Sequence, residues 1–357
     1  MVEVVWLLVS ATLVFMMQAG FLCLESGRIR SKNSINVAAK NISDFIVSSA
    51  VFNLVGFGLM FGASYQGIFG TSDFLFGDQA SFSSIAFFLF QMMFCGTAAT
   101  LVSGAVAERM TFVGYLAITI ILSAFIYPIV GHWAWNGIYQ VNSQGWLESL
   151  GFIDFAGSTI VHSVGGWVAL VAIWMIGPRL RRFDQGILLP QGSNLPLSGL
   201  GVLLIWLGWV GFNGGSTLSF DKSVPHILLN TFISAIWGGI ASTLLFYSLY
   251  RYINVSQLLN GVISGLVGIT AGCHVVSTSA SIFIGLMSGI ITVVGSILME
   301  RWRLDDALDV VPSHLFAGVW GTLAVALFGN LETMATGLSR WQQFQVQALG
   351  VVSIGAY

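Results

Sequence analysis

The stretch DFAGSTIVHSVGGWVALVAIWMIG, residues 154–177, decides the fold of this chain. It is almost entirely apolar, and about 20 consecutive apolar residues suffice to cross a lipid bilayer as an α-helix. It nevertheless carries an imidazole, His162, near its beginning, in a chain with only five histidines. An ionisable side chain inside a membrane span is costly and therefore indicates a functional site. The stretch predicts a membrane helix with a functional histidine.

The composition of the whole chain agrees with a membrane protein. Of its 357 residues, 56% are hydrophobic and 8% are charged, whereas a soluble domain carries about a quarter charged residues. The net charge of −2 and the lack of a basic run give no indication of nucleic-acid binding. The three cysteines lack the spacing of disulfide frameworks and metal sites, and no nucleophile elbow or phosphate loop occurs. We therefore expect no cofactor, no metal and no enzyme within these residues.

Apolar runs predict an all-α, polytopic membrane protein with eleven spans. They lie at about 4–24, 43–63, 83–106, 111–132, 158–177, 198–213, 226–250, 258–276, 280–300 and 314–329, with an eleventh from about 342. No basic region precedes the first run, so it is predicted to be a span and not a signal peptide. The sixth run ends in glycines, which predicts an irregular outer end. Because the eleventh run is cut at Tyr357, we expect a cytoplasmic continuation.

Lysine and arginine orient these spans. With alternating loops, one side of the membrane collects eleven of the thirteen basic residues, and this side is predicted to be cytoplasmic. The protein is therefore expected in the cell inner (plasma) membrane, with its N-terminus outside and its C-terminus inside. The cytoplasmic set is Arg28, Arg30, Lys32, Lys40, Arg109, Arg179, Arg181, Arg182, Arg251, Arg301 and Arg303, and the outer set is Lys222 and Arg340.

Two segments repeat one pattern. DFAGSTIVHSVGG opens the fifth span from outside, and DALDVVPSHLFAG, residues 306–318, opens the tenth from inside. In each, an aspartate precedes the histidine by eight residues and a glycine follows it by four: Asp154, His162 and Gly166, then Asp306, His314 and Gly318. This predicts an inverted repeat of spans 1–5 and 6–10 within one domain, 1–357. Such repeats place a functional site near the bilayer midplane, at their interface.

The two repeat-related histidines are predicted to meet. Two imidazoles in a low-dielectric site cannot comfortably both be charged, so one neutral ring would donate a hydrogen bond to the other. The alternative is that each histidine merely bonds a nearby carbonyl. His132 and His226 are predicted at the membrane interface, and His274 in an interfacial or packing position.

Aromatic side chains cluster near the predicted outer mouth, and aromatic faces attract cations. Each one alone is more commonly an interfacial anchor or a packing residue, an interpretation given to Trp133, Trp167 and Trp209. The aromatic members are Phe90, Phe94, Trp135 and Phe212, and the polar side chains of Asn213 and Ser216 lie beside them in the sequence motif GWVGFNGGS.

With these motifs the chain resembles the ammonium transporter family (Amt/Mep/Rh). The resemblance covers nearly the whole chain through GRIRSKNSINVAAKN, FQMMFCGTAATLVSGAVAERM, DFAGSTIVH, GWVGFNGGS and DDALDVVPSH. It implies eleven helices around a narrow central pore in a homotrimer, which recruits ammonium and its analogue methylammonium and passes ammonia, the proton moving separately. The implied sites are twin pore histidines His162 and His314, an ammonium recruitment site of Phe94, Trp135 and Ser216, a gate of Phe94 and Phe212 with Phe90 a turn below, and a structural carboxylate, Asp154.

Two features depart from the common family pattern. Pro312 and Ser313 precede the second histidine, which predicts a shifted start of the tenth span. The form QAGFLCLESGRIRSKN, with Gln18 and Glu25, is similar to members fused to cytoplasmic signalling domains. The alternative function is therefore an ammonium sensor that conducts slowly or not at all and signals to a fused kinase or cyclase. A PII-type regulator is a further partner that the resemblance implies.

Overall fold

Long helices dominate the computed structural model, which describes residues 1–77, 80–140, 143–184 and 192–357. Between the long helices lie a hairpin, β1 (Ser64–Tyr65) paired antiparallel with β2 (Phe69–Gly70), and the short helices Trp146–Ser149 and Leu331–Met334. The long helices of the described part are α1 Val2–Arg28, α2 Ser31–Phe61, α3 Phe82–Ala105, α4 Phe112–Tyr139, α5 Ser158–Ile176, α6 Leu195–Gly215, α7 Val224–Tyr250, α8 Val255–Thr270, α9 Thr278–Arg301, α10 Val311–Phe328 and α11 Arg340–Ala356.

Each of the eleven predicted spans corresponds to one of these helices, which confirms the all-α membrane fold. Nine helices in the described ranges are long and apolar enough to cross a membrane, whereas α8 has 16 residues and α11 has 17. The main differences are at helix ends. Helix α2 begins at residue 31 instead of 43, because its polar side chains Lys40, Asn41 and Asp44 are buried against neighbouring helices. The predicted irregular end of the sixth span is wrong, since α6 is regular to Gly215.

Side chains cap the helices where the sequence turns from polar to apolar. The hydroxyl of Ser81 accepts a hydrogen bond from the Ser84 N–H at the start of α3, and Asn254 accepts one from Gln257 at the start of α8. Such caps satisfy N–H groups that have no partner inside the helix. They fix where the apolar segments begin.

The two ends of the bundle differ in charge. The hairpin lies at one end, the hairpin side; the opposite end, the arginine side, carries a buried ion-pair network. Glu108 accepts hydrogen bonds from Arg30 at 2.8 Å and Arg179 at 2.9 Å, and Arg179 also pairs with Asp305 at 2.8 Å. Burial alone would raise the pKa of Glu108, but these hydrogen bonds, with one from Asn33, lower it to about 2. The network joins the loops that follow α1, α3, α5 and α9.

The starts of α5 and α10 cross in the middle of the bundle. Each opens with six residues of π-helix, Ser158–Ser163 and Val311–Phe316, and each of these segments contains the predicted histidine. A Cβ on Gly166 would lie 2.7 Å from the Leu315 side chain, and one on Gly318 would lie 2.3 Å from the Ser158 carbonyl oxygen. Each glycine therefore allows its helix to pack directly on the opposite π segment. This reciprocal packing, with α1 along α6, agrees with the predicted inverted repeat.

Candidate functional site

The carboxylate of Asp154 holds the start of α5. Its two oxygens accept four backbone hydrogen bonds of 2.8–3.1 Å, which satisfy N–H groups that begin the helix. The donors are Gly157, Ser158, Thr159 and Ile160. The π segment that follows points His162 into the protein, where its side chain is fully buried. This geometry gives Asp154 the structural position that the resemblance implies.

Asp306 performs the equivalent task for α10. Its Oδ2 accepts a hydrogen bond of 2.7 Å from the Val311 N–H, at the first residue of the π segment. Pro312 follows within the first turn, where its missing N–H costs no helical hydrogen bond. The segment presents His314, which is 3% exposed.

The two imidazoles meet, as predicted. Nδ1 of His314 lies 3.2 Å from Nδ1 of His162, and the ring centroids are 5.3 Å apart. A hydrogen bond between these atoms requires one ring to donate and the other to accept. Nε2 of His162 is buried with no hydrogen-bond partner in the described part of the chain. The pair can therefore accept a hydrogen bond or a proton from a small molecule.

Trp209 was missed by the sequence interpretation, which treated it as a membrane anchor. Its ring is fully buried and stacks on His162 with centroids 5.1 Å apart and an interplanar angle of 14°. Its Nε1 donates to Thr270 Oγ1 at 2.9 Å, which fixes the ring. One signal in the sequence could have found it: Trp209 precedes Phe212 by three residues, so both side chains lie on one helix face.

Two phenylalanines continue the line from His162 toward the hairpin side. The rings of Phe94 and Phe212 stack with centroids 4.1 Å apart and an angle of 18°, and Phe212 lies 5.4 Å from His162. Both are essentially inaccessible to solvent. The stack therefore closes the path between the histidines and the hairpin side. Phe90 lies on the hairpin side of Phe94, at a centroid distance of 4.7 Å.

A small cavity, the hairpin-side cavity, lies on the hairpin side of the Phe94–Phe212 stack. Its volume is about 10 Å³, close to the minimum that one water-sized molecule needs. Trp135 forms one wall, edge-on to Phe94 at 6.2 Å, and is held by a 2.7 Å hydrogen bond from its Nε1 to the Asp154 carbonyl. The cavity is lined by Phe90, Gln91, Phe94, Trp135, Ile138, Phe155, Ser216 and Leu218.

Two oxygens of the cavity lining retain lone pairs for a donor. The hydroxyl of Ser216 donates to the Phe212 carbonyl at 2.8 Å, which leaves its own oxygen able to accept. Oε1 of Gln91 is buried and has no partner among the described residues. Gln91 is a second residue that the sequence interpretation missed, although it lies inside the quoted motif FQMMF.

A second cavity, the arginine-side cavity, lies on the other side of the histidine pair. It measures about 20 Å³, enough for one water-sized molecule. His314, Glu25, Asn260 and Ser313 contribute its polar groups, and apolar residues from α1, α3, α8 and the segment before α10 complete the wall. The two cavities thus flank four stacked or adjoining rings, those of Phe94, Phe212, His162 and His314. We call these buried rings the dry segment.

The remaining histidines lie away from this line. His132 is fully buried and bonds Ser64 Oγ in the hairpin at 2.7 Å and the Met60 carbonyl at 2.9 Å. His226 contacts the Val276 carbonyl at 3.2 Å. The ring of His274 packs on Phe155 at 4.1 Å, in agreement with a packing position.

Comparison with known proteins identifies the family. The model of the Ammonium Transporter Family matches residues 5–357. The chain belongs to the ammonium transporter family. Amt2 of Archaeoglobus fulgidus is 40% identical over 98% of this chain and 79% of its own length. A Synechocystis protein provisionally named an ammonium transporter is 50% identical over 98% of this chain, which spans 66% of that protein, slightly under two thirds.

Solved structures of the ammonium transporter family have the same fold. A protein described as a sensor Amt protein superposes with a TM-score of 0.96 at 40% identity, covering 99% of this chain and 89% of that chain. Mep2 of Saccharomyces cerevisiae superposes with a TM-score of 0.89 at 25% identity, covering 99% and 82%. The chain is therefore a multi-pass membrane protein, and its membership in a family of transporters agrees with the expectation that these residues form no enzyme.

Proposed function

We propose that the protein recruits ammonium at the hairpin-side cavity and passes ammonia along the line of Phe94, Phe212, His162 and His314, while the proton moves separately. The observation that carries this proposal is the continuity of the line. Stacked phenylalanines, the 3.2 Å histidine pair and a small cavity at each end follow one another through the centre of the bundle.

The hairpin-side cavity has the chemistry of a site for a small donor-only cation. The Trp135 and Phe94 rings line the cavity, and the interaction of a cation with an aromatic face reaches about 2 kcal/mol when desolvated. Ser216 and Gln91 supply oxygens that accept N–H hydrogen bonds. Ammonium fits this description, since it is a small cation that only donates hydrogen bonds, and methylammonium is its larger analogue.

The dry segment explains selectivity. An unpaired ion moved from water into a low-dielectric interior loses far more hydration energy than two ring faces return. Ammonium avoids this cost by giving up a proton and passing as neutral ammonia, for which the imidazoles provide hydrogen-bond acceptors and donors. Potassium has no proton to lose, so the same segment rejects it.

The purified protein in liposomes tests this function. Ammonium and methylammonium gradients should produce transport currents or luminal pH changes, and potassium gradients should produce neither. Binding of ammonium without any flux would contradict conduction.

Ammonium sensing is the second candidate, favoured by the likeness to the sensor Amt protein and by the QAGFLCLESG form of α1. A sensor needs different ligand affinity in two conformations. Ammonium-dependent changes in the exposure of arginine-side loops, measured by hydrogen exchange in the absence of flux, would favour this function. The signalling partner would be a cytoplasmic domain or a PII-type regulator.

Assembly and location complete the proposal. We place the arginine side in the cytoplasm of a cell whose inner (plasma) membrane holds the protein, with the N-terminus outside, because eleven of the thirteen basic residues follow that assignment. Large hydrophobic side chains such as Leu203, Leu244 and Val352 remain exposed on the helices and suit contact with lipid or with other subunits of a homotrimer. Native mass spectrometry measures the subunit number.

A further inference from the structure

Glu25 places a carboxylate in the wall of the arginine-side cavity, next to the exit from the histidine pair. Its Oε2 accepts hydrogen bonds from Asn41 at 2.9 Å and Ser103 at 2.8 Å. Its Oε1 has no hydrogen-bond partner among the described residues, and a Cβ on Gly104, which also lines the cavity, would lie 3.4 Å from it. One carboxylate oxygen therefore remains available on the cavity side.

The other polar groups of this cavity are already occupied. Asn260 receives a 2.6 Å hydrogen bond from Arg28 and donates one of 3.0 Å to Asp309. Ser313 donates to the Asp309 carbonyl at 2.6 Å. Since Nδ1 of His314 faces His162, its Nε2 is the ring atom left for the cavity. Glu25 and His314 are thus the two groups of the described lining that are able to exchange a proton there.

The surroundings of Glu25 contain a compensating charge. Lys40 on α2 is the basic side chain near this carboxylate, and its Nζ donates a hydrogen bond to the Met110 carbonyl at 2.6 Å. Asp44, also on α2, accepts hydrogen bonds from Thr100 and Tyr115 and adds a second acidic group nearby. Glu25 thus lies near one basic and one acidic side chain of α2.

We propose that Glu25 returns the proton to ammonia at the arginine-side cavity, an inference that rests on the proposed conduction. On the arginine side, the proton passes from the imidazole of His314 to the Glu25 carboxylate, which lines the same cavity, so the His314 N–H bond breaks and the carboxyl O–H bond forms. Ammonia that reaches the cavity then takes this proton: the carboxyl O–H bond breaks, an N–H bond forms, and ammonium leaves beside an ionised carboxylate. Each turnover restores Glu25, so one ammonium enters and one ammonium leaves.

Replacing the Glu25 carboxyl by an amide distinguishes proton transfer from the passage of ammonia, because it should affect only the first. In full-chain protein in liposomes, Glu25→Gln should lower the ammonium-evoked current about tenfold or more, because an amide cannot relay a proton. Ammonia flux, followed with a luminal pH dye under an ammonia gradient, should stay within about twofold. Glu25→Asp, which keeps a titratable carboxyl, should retain most of the current. Glu148→Gln is the matched control, since that partly buried carboxylate binds the Gly137 and Gly145 N–H groups on the hairpin side.

Three results would overturn the proposal. These are an unchanged current in Glu25→Gln, an equal fall of current and ammonia flux, and a fall in Glu25→Asp as large as in Glu25→Gln. If the amide variant does not fold, infrared difference spectra of the wild type with 13C-labelled glutamate test the proposal instead. Addition of ammonium should then change a glutamate carboxyl band, and an unchanged band would contradict the proposal. A wild-type protein without any ammonium flux refutes the proposed conduction itself, whereas wild-type flux with an unaffected Glu25→Gln variant refutes only the role of Glu25.

Discussion

The two histidine-bearing helix starts have the same backbone and different surroundings. At α5, both oxygens of Asp154 are used by four backbone N–H groups. At α10, the Asp306 carboxylate accepts one backbone hydrogen bond, from the Val311 N–H to Oδ2, and its buried Oδ1 has no partner in the described part of the chain. The repeat therefore duplicates the helix start and the histidine, but not the strength of the cap.

The rings around the two histidines differ as well. His162 contacts the faces of Trp209 and Phe212, whereas the aromatic ring beside His314, other than His162, is Phe21 at 6.4 Å. His314 instead lines the arginine-side cavity with Glu25. The histidine of the first half thus lies against the aromatic rings, and the histidine of the second half lines the polar exit, which gives a symmetric backbone a direction.

Removing the caps should produce the largest difference between the halves. In Asp154→Asn the amide nitrogen replaces one acceptor oxygen and faces two N–H groups, which should destabilise the protein by about 3 kcal/mol or more. Asp306→Asn should cost about 1 kcal/mol, since one hydrogen bond is affected. Thermal unfolding in detergent measures both, with Asp184→Asn in an exposed loop as the control. Equal losses would show that the two caps are equivalent.

Removing each imidazole in turn compares the importance of His162, among the aromatic rings, with that of His314, at the arginine-side cavity. His162→Ala should lower ammonium current about 100-fold, because it removes the acceptor that packs against Trp209 and Phe212. His314→Ala should lower it about tenfold, since the adjacent cavity retains Glu25. His226→Ala, which lies away from the line, should change the current less than about twofold. Unchanged current in His162→Ala, with unchanged methylammonium competition, would refute the role of the pair.

The tryptophans distinguish recruitment from passage. Trp135→Leu should weaken ammonium binding about tenfold through the lost cation–π interaction, a change that calorimetry can measure. Trp209→Leu should instead lower the maximal flux several-fold and leave binding nearly unchanged, because its ring contacts His162 and not the hairpin-side cavity. The exposed Trp302→Leu is the control for both. If Trp209→Leu weakened binding as strongly as Trp135→Leu, the two regions would form one site.

The sequence was informative where a residue pattern has a single physical meaning. Apolar length located all eleven helices, and the spacing shared by Asp154 and Asp306 located both histidines. It was less informative where long-range packing decides. Buried polar side chains lengthened α2, and the contact of Trp209 with His162 joins α6 to α5. The burial of the α2 side chains leaves no periodic signal in the chain, and the spacing of Trp209 and Phe212 indicates a shared helix face but not its partner His162, so both needed coordinates.

The smallest expected effect is the pH dependence of stability that one carboxylate on each side contributes, Glu108 on the arginine side and Glu148 on the hairpin side. The pKa of Glu108 is lowered from 4.5 to about 2, so its contribution to stability is present above pH 4.5 and is lost as pH falls toward 2. Burial instead raises the pKa of Glu148, so its contribution is greatest at low pH and falls as pH rises. Thermal unfolding between pH 7 and pH 3 should therefore show opposite changes of slope in Glu108→Gln and Glu148→Gln. Parallel slopes in the two variants would contradict the opposite electrostatics of the two sides.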